Sequence, residues 1–407
     1  MKKILLNLVF IFGSTIVCLY LLELFLIVSN IDRDDKTDKI QRQLIKYIKQ
    51  SNDFDIRGSY EFYENYKKKN PKTVMSISAA INPEFKISEN RKIFALSNVS
   101  NRENILCNEN GYFATFMSDR YGFNNPDSEW EKKNINYLLI GDSFTHGYCV
   151  NENQNIAGNL RKITHGTTSL LNLGQGGNGP LKNYATLREY IGLINVKKIL
   201  WIHTEGNDIS DLYDELQNLI LYQYFIDPEF NQELSLMQDK IDEQLLIKLT
   251  QEKIKYLIFL KQLEKEKKYI KYLKLHRLVR FKNKAFRELK KYNDSTINDQ
   301  FINLKFKKII NLTKKIAKEN RAEFYFIYLP SYHGYKEKIV NIGNENYEKI
   351  INLINDLNIP IIDLRKKIFE DHYDPLSLIP FRTKGHFNET GYSLIASMIY
   401  EELKKVD

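Results

Sequence analysis

Four short blocks of this sequence carry residue types that could cooperate in acyl chemistry, and they occur in a fixed order. The first is Tyr137-Leu-Leu-Ile-Gly-Asp-Ser-Phe-Thr-His-Gly147, an apolar run that breaks at Gly141 into Asp142-Ser143. A small residue at the end of a buried strand permits a sharp turn. The turn presents the Ser143 hydroxyl at the carboxyl edge of a sheet, beside a helix start whose free N–H groups favour developing negative charge. The second is Asn172-Leu-Gly-Gln-Gly-Gly177, the third Gly206-Asn-Asp208, and the last Lys384-Gly-His-Phe-Asn-Glu-Thr-Gly-Tyr392. A serine needs a base to attack a carbonyl, and His386 could supply it. The resulting oxyanion needs donors, which the N–H groups of Ser143 and Gly177 and the amide of Asn207 could provide. Each residue also has a plainer reading. Gly177 could belong to a tight turn, Asn207 and Asp208 to a helix cap, and His386 to a structural contact. His146 reads as a pocket-lining or surface residue and His203 as a core histidine. His165, His276, His333 and His372 lack metal-ligand spacing, so neither a metal nor another cofactor is expected.

The elements that must position these blocks alternate. Apolar runs at 137–140, 169–173, 198–203, 323–329 and 359–364 read as buried strands, with helical segments at 181–193, 347–357 and 389–405. Such alternation predicts a parallel sheet with helices on both faces, whose strand ends bring distant residues together. Between the third and fourth strands, 210–320 is rich in Lys, Glu, Leu and Tyr and reads as a helical insertion. Its Lys-dense run, 261–291, is a solvated face or a patch for anionic lipid or an acidic polymer. The expected organisation is an anchor at 1–30, a linker with small α and β elements at 31–117, a core domain split into 118–209 and 321–407, and the insertion at 210–320.

Compartment follows from the N-terminus. After Met1-Lys2-Lys3, residues 4–28 are apolar except for Asn7, Ser14, Thr15 and Glu23. As a helix this stretch is roughly 37 Å long at ~1.5 Å per residue, enough to span a bilayer core of about 30 Å. The lysines imply a cytoplasmic N-terminus with the remainder extracytoplasmic, periplasmic in a Gram-negative cell; a cleaved signal peptide is the alternative. In an oxidising compartment Cys107 and Cys149 could pair, tying the segment before the first strand to the serine loop, or stay as two free thiols. The net charge of +9, from 60 Lys plus Arg against 51 Asp plus Glu, accompanies abundant Asn and Ile and does not argue for nucleic acid.

The ordered Ser143, Gly177, Asn207 and His386 set resembles the SGNH/GDSL hydrolase superfamily over roughly 118–208 and 323–407. The resemblance implies a flavodoxin-like three-layer α/β/α sandwich and an esterase, lipase, thioesterase, carbohydrate deacetylase or acetyltransferase. The lead-in Asp119-Arg-Tyr-Gly-Phe123 is similar to one found in membrane-anchored envelope members, which suggests a glycan substrate. One departure stands out. The family's Asp two or three residues before its His is replaced by Lys384 and Thr383. Either a Ser143–His386 dyad operates, or Asp371 or Asp374 reaches the imidazole. The expectation is therefore an envelope-anchored serine esterase or O-acyltransferase acting on an acylated carbohydrate. A lipid or thioester hydrolase and a catalytically silent glycan-binding or scaffolding domain are the alternatives. The partners implied are an acylated small-molecule or glycan substrate and the membrane, through the N-terminal helix; the sequence does not name a protein partner for the insertion.

Overall fold

The structure is a computed structural model that describes residues 2–29, 46, 54–77, 83–206, 208–266, 275, 278–279, 281–282, 301–330, 342–370, 372–382 and 385–405. The chain divides into two compact units, one of Tyr47–Gln251 with Asp299–Asp407 and one of Met1–Lys46 with Glu252–Asn298.

The larger unit begins with α2 (Ser59–Lys67); α1 belongs to the smaller unit described below. Two small sheets follow, one of β1 (Val74–Met75), β4 (Glu103–Ile105) and β5 (Thr115–Met117), the other the antiparallel pair β2 (Glu84–Lys86) and β3 (Lys92–Phe94). The central sheet contains β6 (Asn134–Gly141), β7 (Leu170–Asn172), β8 (Asn195–Thr204), β9 (Glu323–Leu329) and β10 (Ile361–Asp363). Every pairing in it is parallel, and its spatial order is β7-β6-β8-β9-β10. Numbered along the chain this is 2-1-3-4-5, the order of a flavodoxin-like doubly wound sheet. The expected parallel sheet is thus present, and its five strands fall on the five apolar runs.

Side-chain alternation assigns the two faces. Leu139, Leu200, Ile202, Ile327 and Ile362 lie in one buried cluster with residues of α4 (Ile156–Ile163) and α11 (Glu389–Lys404), among them Leu160, Ile395 and Ile399. Leu200, Ile202 and Ile327 are fully excluded from solvent, so each contributes roughly 1.5–3 kcal/mol by burial. The alternate residues, Trp201 and Phe326 among them, are buried on the opposite face, where α5 (Pro180–Tyr190) and α9 (Lys307–Glu319) contact β6 and β9 respectively. The serine turn itself is the short α3 (Ser143–His146).

The structure draws the insertion more narrowly than 210–320. α6 (Asp208–Glu215), α7 (Leu219–Ile226) and the first half of α8 (Gln238–Glu266) belong to the larger unit, where Leu234, Ile241 and Leu245 are fully buried. Buried Glu189 of α5 accepts hydrogen bonds from Gln232 N–H at 2.6 Å, from Leu234 N–H at 2.8 Å and from the Tyr224 hydroxyl, fixing this segment to the core. α9 is also no insertion. Parallel strands need a crossover, and α9 supplies it between β8 and β9 by burying Ile309, Ile310 and Ile316. Its abundant lysines occupy the other face. α10 (Ile342–Asp356) makes the corresponding crossover to β10.

The smaller unit contains α1 (Lys2–Ser29), whose stretch Val9–Leu26 is long and apolar enough to cross a membrane. A membrane anchor and a signal sequence share that length and composition. Phe10, Phe12 and Leu21 on this helix are exposed.

Candidate active site

β6 ends at Gly141, where a side chain would have to occupy space 2.1 Å from Thr145 Oγ1 and 2.8 Å from the Ile202 carbonyl of β8. The chain turns there, and buried Asp142 caps α3 by accepting the Phe144 N–H at 2.9 Å. Asp142 also accepts the Thr204 hydroxyl at 3.0 Å, locking the serine turn to the end of β8. Ser143 is left partly exposed at the carboxyl edge of the sheet.

His386, just before α11, places Nε2 2.8 Å from Ser143 Oγ. Its ring lies 4.6 Å from that of Phe144 and 5.1 Å from that of Tyr148, centroid to centroid. Of the two acids offered by the sequence, Asp374 is engaged elsewhere. Asp374 forms a bidentate pair with Arg382 at 2.6 and 2.7 Å, and that guanidinium holds its carboxyl below the usual range. Asp371 lies outside the described residues. The carboxylate beside the imidazole is Glu109, which accepts the His386 backbone N–H at 2.7 Å and lies 3.1 and 3.3 Å from Nδ1. With Nδ1–H donated to this carboxylate, Nε2 presents its lone pair to the serine hydroxyl. Ser143, His386 and Glu109 thus form a continuous chain of contacts, in place of the expected dyad with a backbone carbonyl.

Gly385 makes that arrival possible. Its φ is +125°, and a Cβ there would stand 2.4 Å from Glu109 Oε2. No carboxylate stands two or three residues before His386, where Lys384 and Thr383 lie, and a residue without a side chain admits one from elsewhere. Glu109 carries no motif and lies far upstream of Ser143. One signal could have found it: Cys107, two residues earlier, pairs with Cys149, six residues after Ser143. The structure has that disulfide, with Cα atoms 4.8 Å apart and a sequence separation of 42. By chain entropy a loop of this length contributes about 4 kcal/mol.

Glu109, Cys149 and His386 offer ligand atoms within 4.8 Å of one another. The Cys149 sulfur is bonded to Cys107, so this group is not a thiolate metal site.

Gly177, Ser143, His386, Tyr148, Phe94 and Leu96 line one cleft of about 690 Å³. Lys182 Nζ donates to the Gly177 carbonyl at 2.7 Å. Gly176 N–H donates to Nδ1 of buried His146 at 3.3 Å, so His146 supports the glycine turn from below and is not a surface residue. Burial, reinforced by the nearby His386, lowers the His146 pKa to about 3, which keeps the ring neutral as an acceptor. Burial likewise raises the Tyr148 phenol to about 12, with the Glu109 charge adding to it. Asn207 lies outside the described residues. Its neighbours are ordered by Asp208, whose Oδ2 accepts the Thr204 N–H at 3.0 Å and stands 2.9 Å from His203 Nδ1. His203 is a core residue among Phe306, Phe326 and Tyr328, and burial lowers its pKa to about 4.

The Asp119-Arg-Tyr-Gly-Phe123 lead-in serves the site from behind. Asp119 is fully buried and accepts from Tyr121 and Phe123 N–H, the Asn125 amide and the Trp130 indole. Asn124 and Asn125 then donate to the His146 and Asn172 carbonyls at 2.9 and 3.0 Å.

No protein-family model matches the chain, and no curated protein matches it by sequence. Several solved structures resemble it. A member of the lipolytic protein G-D-S-L family from Veillonella parvula is 14% identical, with 66% of this chain and 97% of that chain covered, at a TM-score of 0.35. A lipase/acylhydrolase from Enterococcus faecalis is 12% identical over 67% of this chain and 96% of that chain, at 0.33. A two-domain esterase active on acetylated mannans is 10% identical over 69% of this chain and 51% of that chain, at 0.35. At such identities and TM-scores, the residues at the strand ends, not these neighbours, bear on the reaction.

Proposed function

We propose that this chain is an SGNH-type serine ester hydrolase or O-acyltransferase acting on an acylated carbohydrate of the cell envelope. In this reading α1 anchors it with its N-terminus in the cytoplasm and the larger unit outside. The observation that carries the reading is the continuous relay from Ser143 Oγ to His386 Nε2 at 2.8 Å and from Nδ1 to Glu109 at 3.1 Å. Glu109 also answers one of the two reasons for expecting a catalytically silent domain, the absent acid before His386; the other was the large insertion.

In the first half-reaction His386 Nε2 takes the Ser143 proton as Oγ bonds to the ester carbonyl carbon. The tetrahedral oxyanion is met by the N–H groups of Ser143 and Gly177 and by the Asn207 amide. Collapse breaks the bond to the alcohol, which leaves with the proton from His386, and the acyl group stays on Ser143. A water or a sugar hydroxyl then repeats the sequence in reverse, its proton passing to His386. Glu109 stabilises the imidazolium formed in each half. The 690 Å³ cleft far exceeds an acetyl group and leaves room for a sugar-sized alcohol.

The test is turnover of p-nitrophenyl acetate by the full-length protein in detergent beside Ser143→Ala, followed by acetylated oligosaccharides with and without acceptor. Release abolished in Ser143→Ala is expected. Equal release from both proteins, with the fold intact, would overturn the reading.

A further inference from the structure

Glu109 sits in a short hairpin loop that is tied to the catalytic face by both hydrogen bonds and a covalent bond. It lies between β4 and β5, each three residues long, in a loop backed by a small buried cluster of Leu106, Ala114 and Phe116. Besides the contacts of Glu109 itself with His386, hydrogen bonds of its neighbours tie the loop to the catalytic face. Asn110 Nδ2 donates to the Cys149 carbonyl at 2.9 Å, and the Tyr112 hydroxyl donates to Glu389 of α11 at 2.6 Å. Both are partly solvent-exposed. The covalent tie is Cys107–Cys149, two residues from Glu109 on one side and six from Ser143 on the other. Cys149 is fully buried and held at φ +62°, a left-handed conformation unusual for a residue with a side chain. Its sulfur packs within 4.8 Å of the Glu109 and His386 ligand atoms. Cys107 is only partly buried, so a reductant can reach the bond.

We propose that the Cys107–Cys149 disulfide is a positioning element for Glu109, so that the serine relay is complete only when the pair is oxidised. The proposal rests on the serine-hydrolase reading. Opening the bond frees the Glu109 loop on one side and lets the Cys149 backbone leave its left-handed conformation on the other. Both movements draw the carboxylate away from Nδ1. The relay residues keep their chemistry but lose their register, making activity conditional on an oxidising compartment.

The experiment is a thermodynamic cycle on the full-length protein, wild type against Glu109→Gln, each oxidised and reduced. Dithiothreitol opens the bond to two thiols as its own two thiols close to a cyclic disulfide. Mass spectrometry after alkylation verifies the state, and Ser143→Ala supplies the background. Reduction is expected to lower Ser143-dependent turnover about tenfold or more in wild type but less than about twofold in Glu109→Gln, since the group to be positioned is already gone. Reoxidation should restore wild type, which separates displacement from misfolding, and Cys107→Ser should match the reduced wild type. A bond that merely stabilises the fold would lower both proteins by the same factor, and that result overturns the proposal. So does unchanged turnover in reduced wild type. Absence of Ser143-dependent turnover from the oxidised wild type overturns the serine reading itself, and this inference with it.

Discussion

Glu109→Gln removes one negative charge from the relay and leaves an amide of nearly the same shape. The His386 N–H can still donate to its carbonyl, but the imidazolium formed during proton transfer loses its counter-charge. At the observed 3.1 Å, a unit pair is worth about 5 kcal/mol at an effective dielectric of ~20 and about 1.3 kcal/mol in water. The side chains are 18% and 29% exposed, so the site lies between those limits and closer to the protein value. An expected loss of about 2–4 kcal/mol corresponds to about 30- to 1000-fold in kcat. That is less than the ~10⁴-fold described for a fully buried orienting Asp in a serine protease, because water partly screens this pair. The assay is steady-state turnover of p-nitrophenyl acetate with the Ser143→Ala background subtracted and thermal unfolding as the control for folding. KM should change little, since Glu109 acts on the transition state rather than on the substrate. A folded Glu109→Gln protein that turns over within about twofold of wild type would refute the role given to this carboxylate.

Gly385→Ala should approach the same loss, because its Cβ would stand 2.4 Å from Glu109 Oε2; Gly166→Ala, also at positive φ but in open space, should leave turnover intact. Equal effects of the two substitutions would assign the loss to backbone strain alone. Asp374→Asn should leave turnover unchanged, because this carboxylate pairs with Arg382 and not with His386; a large drop in kcat would restore it as a candidate acid. The fourth prediction concerns acid stability. Burial lowers the His146 pKa to about 3, so between its ordinary value near 6.5 and that value the unfolded chain binds a proton that the folded one refuses. This contribution is fully present above pH ~6.5 and declines as pH falls toward 3. His146→Phe lacks the loss, so its melting temperature should gain on wild type between pH 7 and pH 5; a constant offset would contradict the assignment.

Much of this architecture is written locally. Five apolar runs of strand length, separated by helix-length segments, imply a parallel sheet because each strand must be buried on both faces and joined by a crossover. The same locality made Ser143 and His386 legible, since a nucleophile turn and a residue opening the last helix are both punctuated by glycines and capping residues. The insertion was harder to bound. The lysine-rich exterior of α9 reads in sequence like the lysine-dense run 261–291 before it, and only packing against β9 shows that Ile309, Ile310 and Ile316 belong with the sheet.

What the sequence alone determined was the order of strands and helices and the candidate residues Ser143 and His386 at the strand ends, because those follow from periodicity and local turn chemistry. What the tertiary structure decided was that Glu109 stands beside the imidazole. Asp374 is close to His386 along the chain yet directed to Arg382, whereas Glu109 is 277 residues away and in hydrogen-bonding contact. No local rule could choose between them. A carboxylate is oriented by whichever distant segment packs beside the imidazole, and here a disulfide and a glycine without a side chain decide which segment that is.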